Sequence, residues 1–291
     1  MAGKFILGAW LACTMCLSAL TAEESKEAPK KDDYPPFQSV QLDLKPGERL
    51  TFDISWGIIH AGHTVLCVTN KENLDLTNSL SPKVWNILCQ TRSTSFMSNF
   101  YEVHDDILSC IDANEGFSHL FDMNKNEGAV HGVERIAFHY DRNEADYFNT
   151  KRQKDGSFRT NSLVIPLPGK VHDPLSCLYY IRAMDLKIGQ QYKMTVNTAK
   201  KNWVMTLKVL RREKISVAGL GEVQALVVEP VAQFEGIFVT KGQMTVWLDD
   251  RTKTPLLMKV AVPVIGHVTA ELVHFENSPL NSPAAENTQK P

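Results

Sequence analysis

Alternation of apolar and polar residues at every second position constrains this chain more than any other feature. Leu50, Phe52, Ile54 and Trp56 alternate with Thr51, Asp53 and Ser55. Tyr192, Met194 and Val196 alternate with Lys193, Thr195 and Asn197, and Trp203, Met205, Leu207 and Val209 share one face of the next run. Met244, Val246 and Leu248 repeat the pattern, as do Val268, Ala270 and Leu272. Successive side chains of a strand point to opposite faces, so each run predicts a half-buried strand. Alternation, rather than solid apolar runs, favours antiparallel pairing with one face in water. The spacers are turn chemistry: Ala218 to Gly221, Asp249 to Pro255, Asn124 to Gly128 and Asp141 to Asn143. Together they predict a mostly β fold: a single strongly curved antiparallel sheet or half-open β-barrel of about ten strands, with one central helix.

The helix is predicted where the alternation breaks. Asp173, Pro174, Leu175 and Ser176 read as a helix start, with Asp at the N-cap and Pro at the first helical position. Leu175, Leu178, Tyr179 and Arg182 follow at helical spacing, and Gly189 reads as the stop. About three turns here would pack on or plug the sheet.

The ends have a different composition. Lys4 precedes an uncharged apolar run from Phe5 to Leu20, and small residues lead to Ala22, which predicts a signal peptide over 1–22 cleaved near Ala22. The run is short for a membrane span of roughly 20 residues. Cys13 and Cys16 sit in contexts that fit a lipobox poorly. Losing Lys4 takes the formal charge from −2 to −3. Residues 23–38 read as a disordered leader and 277–291 as a disordered tail, leaving one curved β domain over 39–276. The predicted location is the periplasm or cell envelope, peripheral to the membrane at most. A chain with no basic surplus has nothing to neutralise a phosphate backbone, so nucleic acid is not an expected partner. No motif calls for a cofactor.

Five phrases carry a resemblance. Gly47 to Leu50 leads to Ile54-Ser55-Trp56-Gly57 and Ala61-Gly62; Phe100 to Asp105 leads to Ile111-Asp112; Asp173 to Ser176 leads to Leu178 through Arg182; Val228-Glu229-Pro230 leads to Glu235-Gly236 and Gly242; Trp247 through Asp250 leads to Pro255 and Gly266. In this order and spacing they resemble the bacterial exported family called domain of unknown function 3108, over about residues 45–276. The resemblance implies an envelope location and a strongly curved antiparallel sheet, similar in style to periplasmic lipoprotein carriers. It implies no reaction.

Candidate chemistry is sparse. His172, Asp173 and Ser176 lie close in sequence, but no G-x-S-x-G elbow surrounds the serine, and the aspartate is better used capping a helix. Tyr179 and Arg182 are left as polar ligand contacts. Trp56-Gly57 through Gly62 puts two glycines in a strand-like run, which suggests a bulge that bends the sheet or lets a ligand pass. The nine histidines show no paired helical spacing, so no metal is expected. Asp105-Asp106 and Asp249-Asp250 are neighbours that face opposite ways on a strand. Four cysteines remain after cleavage and allow three pairings. Cys67 and Cys89 flank one loop and are the candidate disulfide; four buried thiols are the alternative. Finally, Phe52, Trp56, Met194, Trp203, Met205, Met244 and Met258 give one sheet face an aromatic and methionine character suited to varied apolar partners. The expected ligand-binding set is Trp56, Gly57, Gly62, Tyr179, Arg182, Trp203, Met205 and Met244. The expected role is a non-enzymatic one: binding a lipid or lipid-linked molecule, or else assembling with an envelope protein through a sheet edge. An enzyme acting on an envelope polymer is the third alternative.

Overall fold

A computed structural model describes residues 33–69, 72–73, 83–198, 200–234, 237–238, 244–262 and 266–277. The predicted signal peptide, the leader as far as residue 32 and the tail from 278 lie outside these residues. β1 (Arg49–Trp56) and β2 (Ile59–Val68) form the first hairpin. β3 (Glu72–Asn73), β4 (Lys83–Ser93), β5 (His104–Asp112), β6 (Ser118–Glu127), β7 (Val130–His139), β8 (Glu144–Arg152) and β9 (Phe158–Pro166) follow. The second half holds β10 (Gln191–Thr198), β11 (Lys201–Val217), β12 (Gly221–Phe234), β13 (Ile237–Phe238), β14 (Met244–Asp249), β15 (Pro255–Val262) and β16 (Gly266–Glu276). A short α1 (Ser95–Ser98) joins β4 to β5, and α2 (Pro174–Arg182) joins β9 to β10.

The strands make one sheet, ordered β10-β11-β12-β14-β15-β16-β1-β2-β4-β5-β6-β7-β8-β9, with β3 beside β4 and β13 beside β12. Every neighbouring pair on this path is antiparallel. The expectation of about ten strands was too low, because β6 to β9 alternate less cleanly and carry polar residues on both faces. The sheet curls but does not close: β9 and β10 stand at its two ends. The segment after β9 spans part of this gap. His172 N–H donates to the Thr195 carbonyl at 2.9 Å, and Asn197 N–H donates to the His172 carbonyl at 2.7 Å.

Antiparallel order gives the shell two distinct ends. One carries the β1–β2 turn, α1 and the β6–β7 and β8–β9 turns; we refer to it as the tip end. The other carries the start of β1, the β5–β6 turn and α2; it is the plug end. On the inner face Leu50, Phe52 and Ile54 are fully buried, as are Leu66, Ile87, Ile111, Leu248 and Leu272. Each large apolar side chain so placed contributes about 1.5–3 kcal/mol by burial.

Three expectations need correction. The helix ends at Arg182 with Ala183 as its C-cap, well before Gly189, which instead takes φ 81° in the turn into β10. The leader is not free through residue 38. Phe37 packs its ring 5.9 Å from that of Phe117 and 5.5 Å from His172, and Tyr180 Oη donates to the Gln38 carbonyl at 2.9 Å. One aromatic with a greasy site to fill outweighs the charged composition around it. Cys67 and Cys89 are not joined to each other. Register sets Cys89 opposite Leu66 and Cys67 opposite Leu88, so the two thiols project from opposite faces of the sheet.

Candidate functional site

The helix start is consumed by structure. Asp173 Oδ1 accepts from the Leu175 and Ser176 N–H groups at 2.8 and 2.9 Å, and Ser176 Oγ accepts in return from Asp173 N–H at 2.7 Å. This reciprocal box satisfies donors that the first helical turn cannot pair internally. Asp173 Oδ2 accepts from the Ser109 and Ser118 hydroxyls at 2.6 and 2.5 Å, which bolts α2 to β5 and β6. Burial raises the Asp173 pKa against these four bonds, and burial drops that of His172 to about 3. A neutral, enclosed His172 and a Ser176 hydroxyl turned onto the Asp173 carbonyl do not form a nucleophile and base. Replacing Asp173 with alanine is expected to lower stability by about 2 kcal/mol, from the lost cap and two stranded hydroxyls. Urea unfolding measures it; a loss below about 0.5 kcal/mol would contradict the cap.

Tyr179 and Arg182, expected to meet a ligand, are also inside. Tyr179 is buried, and the Arg182 guanidinium carbon lies 4.9 Å from its ring centroid. Arg182 binds Glu48 through both nitrogens, at 2.6 and 2.8 Å. Burial alone would lower the Arg182 pKa, but the Glu48 carboxylate holds it raised. The pair leaves no free fork for a ligand headgroup.

The inner wall carries the remaining candidates, and it has two halves. Cross-strand register aligns Trp56 with Val268, Val268 with Val260 and Val260 with Met244. Met205 faces Met194, and Trp203 faces Val196. Trp56, Met205 and Met244 are half-buried and pack against the core, whereas Trp203 and Met194 are buried. This is an apolar, methionine-rich half. Gly57 takes φ 58° at the exposed tip of the β1–β2 turn. Gly62 lies beside a bulge: Ile54 pairs with Gly62 and Ser55 with His60, leaving Ala61 extra. The bulge turns His60 and His63 to the same outer face, where His60 Nε2 is 3.5 Å from Asp53. Among the described residues no group of three or more His, Cys, Asp or Glu side chains could hold a metal ion.

The other half, on β5 to β9, is mixed: Ile107, Phe121, Ile136 and Phe138 belong to the buried core, and polar side chains gather toward the tip end. Asp105 and Glu127 are buried near the tip end. Tyr101 Oη donates to Glu127 at 3.2 Å, Lys125 Nζ is 3.0 Å from its other oxygen, and Tyr147 Oη donates to Glu134 at 3.2 Å. Lys200 lies 5.3 Å from the Tyr147 ring. Burial, then the charge of Glu127, pushes the Asp105 carboxyl up to about 7, although the Asn126 N–H bond opposes the shift. Burial raises Glu134 as well. Asp106 faces outward to Arg92 at 2.5 Å. Sequence reasoning passed over this half. Its signal was present: Asp105 is in phase with Ile107, and Glu134 with Ile136, so each acid occupies an inward position of an alternating strand.

These features define a class: an unclosed, β-barrel-like antiparallel shell, plugged at one end by a capped helix, with an apolar inner wall that carries a polar patch toward the tip end. The chain belongs to the family described as protein of unknown function DUF3108, whose pattern matches residues 51–273. Among solved structures it is similar to a beta-barrel-like protein of domain of unknown function DUF1849 from Brucella abortus. That likeness has 11% identity and a TM-score of 0.51, and covers 83% of this chain and all of that one. A Bacteroides fragilis protein described as exported, with a YmcC-like fold, aligns at 7% identity and TM-score 0.34, covering 82% of this chain and all of that one. A Parabacteroides distasonis chain described as a lipoprotein aligns at 9% identity and TM-score 0.34, covering 83% of this chain and all of that one. No curated protein matches the chain.

Proposed function

We propose that this is an exported, non-enzymatic protein that binds an amphipathic envelope ligand, a lipid or lipid-linked molecule, against the inner wall of the shell. The observation that carries the reading is the pairing of an apolar wall with a polar patch. Trp56, Met205 and Met244 offer half-buried apolar surface, and Lys125, Glu127 and Tyr101 offer polar groups on another part of the shell. An acyl chain would gain roughly 25 cal/mol per Å² buried on the first side, and a polar head would exchange water for fixed partners on the second. Export rests on the leader composition and the family resemblance; no helix among the described residues is long and apolar enough to cross a membrane.

Native mass spectrometry of protein isolated from its host envelope is the test. A bound lipid-class species is expected, and Met244→Arg should reduce its occupancy by at least about tenfold, since a buried unpaired charge costs several kcal/mol. An unliganded wild-type spectrum overturns the reading.

A second reading has its own observation. Among the described residues β9 pairs only with β8, and seven of its nine residues are exposed, Phe158 and Val164 among them. An unpaired edge is a template for strand addition by an envelope protein. A photo-crosslinker at Val164 that captures one abundant partner would favour it over cargo binding.

A further inference from the structure

We infer that the tip end of the shell is a docking surface for an anionic phospholipid bilayer. Two adjacent connections there present large apolar side chains to water. Ile58, at the β1–β2 turn, is fully exposed and Ile59 is 37% exposed; Phe96 and Phe100, in and just after α1, are 59% and 66% exposed. The connections are tied together: Thr94 N–H donates to the Ala61 carbonyl at 2.9 Å, and Thr94 Oγ1 to that of His60 at 3.4 Å. The Phe96 and Phe100 rings sit edge to face, 5.4 Å apart. From Ser55 to Val68 and from Ser93 to Tyr101 the chain contains no Asp, Glu, Lys or Arg. Exposed apolar groups on uncharged turn tips suit insertion into lipid.

The same end carries a matching charge. Around the β8–β9 turn, residues 147–166 bear Lys151, Arg152, Lys154 and Arg159 against a single carboxylate, Asp155. All four cations lie at exposed positions, as does Phe158, which is 64% exposed. Asp155 is occupied by the Ser157 N–H and hydroxyl, at 3.0 and 2.7 Å. None of the four cations makes an ion pair among the described residues. Basic side chains interleaved with an aromatic, at the same end as an uncharged apolar tip, complement phosphate headgroups over acyl chains. A rigid protein partner would need a concave seat for each protruding tip, whereas lipid deforms around them.

The inference goes beyond ligand binding and does not require it. The experiment is sedimentation of the chain from Glu23 onward with vesicles of phosphatidylglycerol and phosphatidylethanolamine, with phosphatidylcholine vesicles as the neutral control. Binding is expected to the anionic vesicles, weakened at about 0.5 M salt. Phe96→Ser with Phe100→Ser should reduce it at least about tenfold, and Lys151→Glu with Lys154→Glu separately should do the same. All four positions are exposed, and unchanged melting temperatures verify folding. Absence of binding to anionic vesicles, or binding that neither pair of substitutions alters, overturns the inference. A protein that carries cargo yet ignores vesicles sinks this proposal alone; one that binds vesicles yet yields an empty spectrum sinks the carrier reading alone.

Discussion

Replacing Arg182 with methionine is expected to lower the free energy of unfolding by about 3–5 kcal/mol, because it leaves the Glu48 carboxylate buried without its partner. Glu48 and Arg182 are almost fully enclosed, at 2% and 7% side-chain exposure. Water therefore cannot take over the vacated hydrogen bonds, as it would at a surface pair worth under about 1 kcal/mol. The loss includes the stacking of the guanidinium on Tyr179. Glu48→Leu combined with Arg182→Met should recover most of the loss, since two apolar groups of similar volume leave no stranded charge. Urea titrations of both single variants and the double variant close the cycle. A single-variant loss below about 1 kcal/mol would mean that the helix is not anchored to β1 through this pair. The pair joins residues 134 positions apart, so it sets how firmly the plug is held.

The second large effect is a pH dependence. Asp105 has a folded pKa of about 7 against an ordinary 3.8, with burial as the main cause and Glu127 next. Below pH 4 the folded and unfolded chains both hold the proton. Between about pH 4 and 7 the folded state keeps it while the unfolded chain releases it, so stability falls as pH rises through this window and levels off above it. At about 1.4 kcal/mol per unit of difference, the change is on the order of 4 kcal/mol. Asp105→Asn removes the titration while keeping an oxygen for the Asn126 N–H bond at 2.7 Å. Relative to the wild type, the variant should therefore gain stability from pH 4 to pH 7.5. Parallel pH profiles for the two proteins would refute the buried carboxyl. The strain sits in the polar patch of the wall, beside Tyr101 and Glu127.

Parts of this were legible in the residue order. Asp173, Pro174 and Ser176 announced a helix start, because capping is settled by groups within three positions of each other. The apolar wall was legible too: Trp56, Met205 and Met244 stand in phase with buried neighbours. The polar patch was missed because Asp105 was read only beside Asp106, not against the inward phase of Ile107. Tyr179 and Arg182 were assigned to a ligand because their partner, Glu48, lies at the far end of the chain. The candidate disulfide failed because proximity around a loop says nothing about which face each thiol takes.

Side-chain alternation and capping are properties of a few consecutive residues, so the sequence by itself determined that this chain makes antiparallel strands and one capped helix. Register, bulges and the gap between β9 and β10 depend on contacts between distant strands. A slip of one residue inverts a face, and so only the tertiary structure decided which groups share the inner wall and which end presents Ile58, Phe96 and Lys154 together.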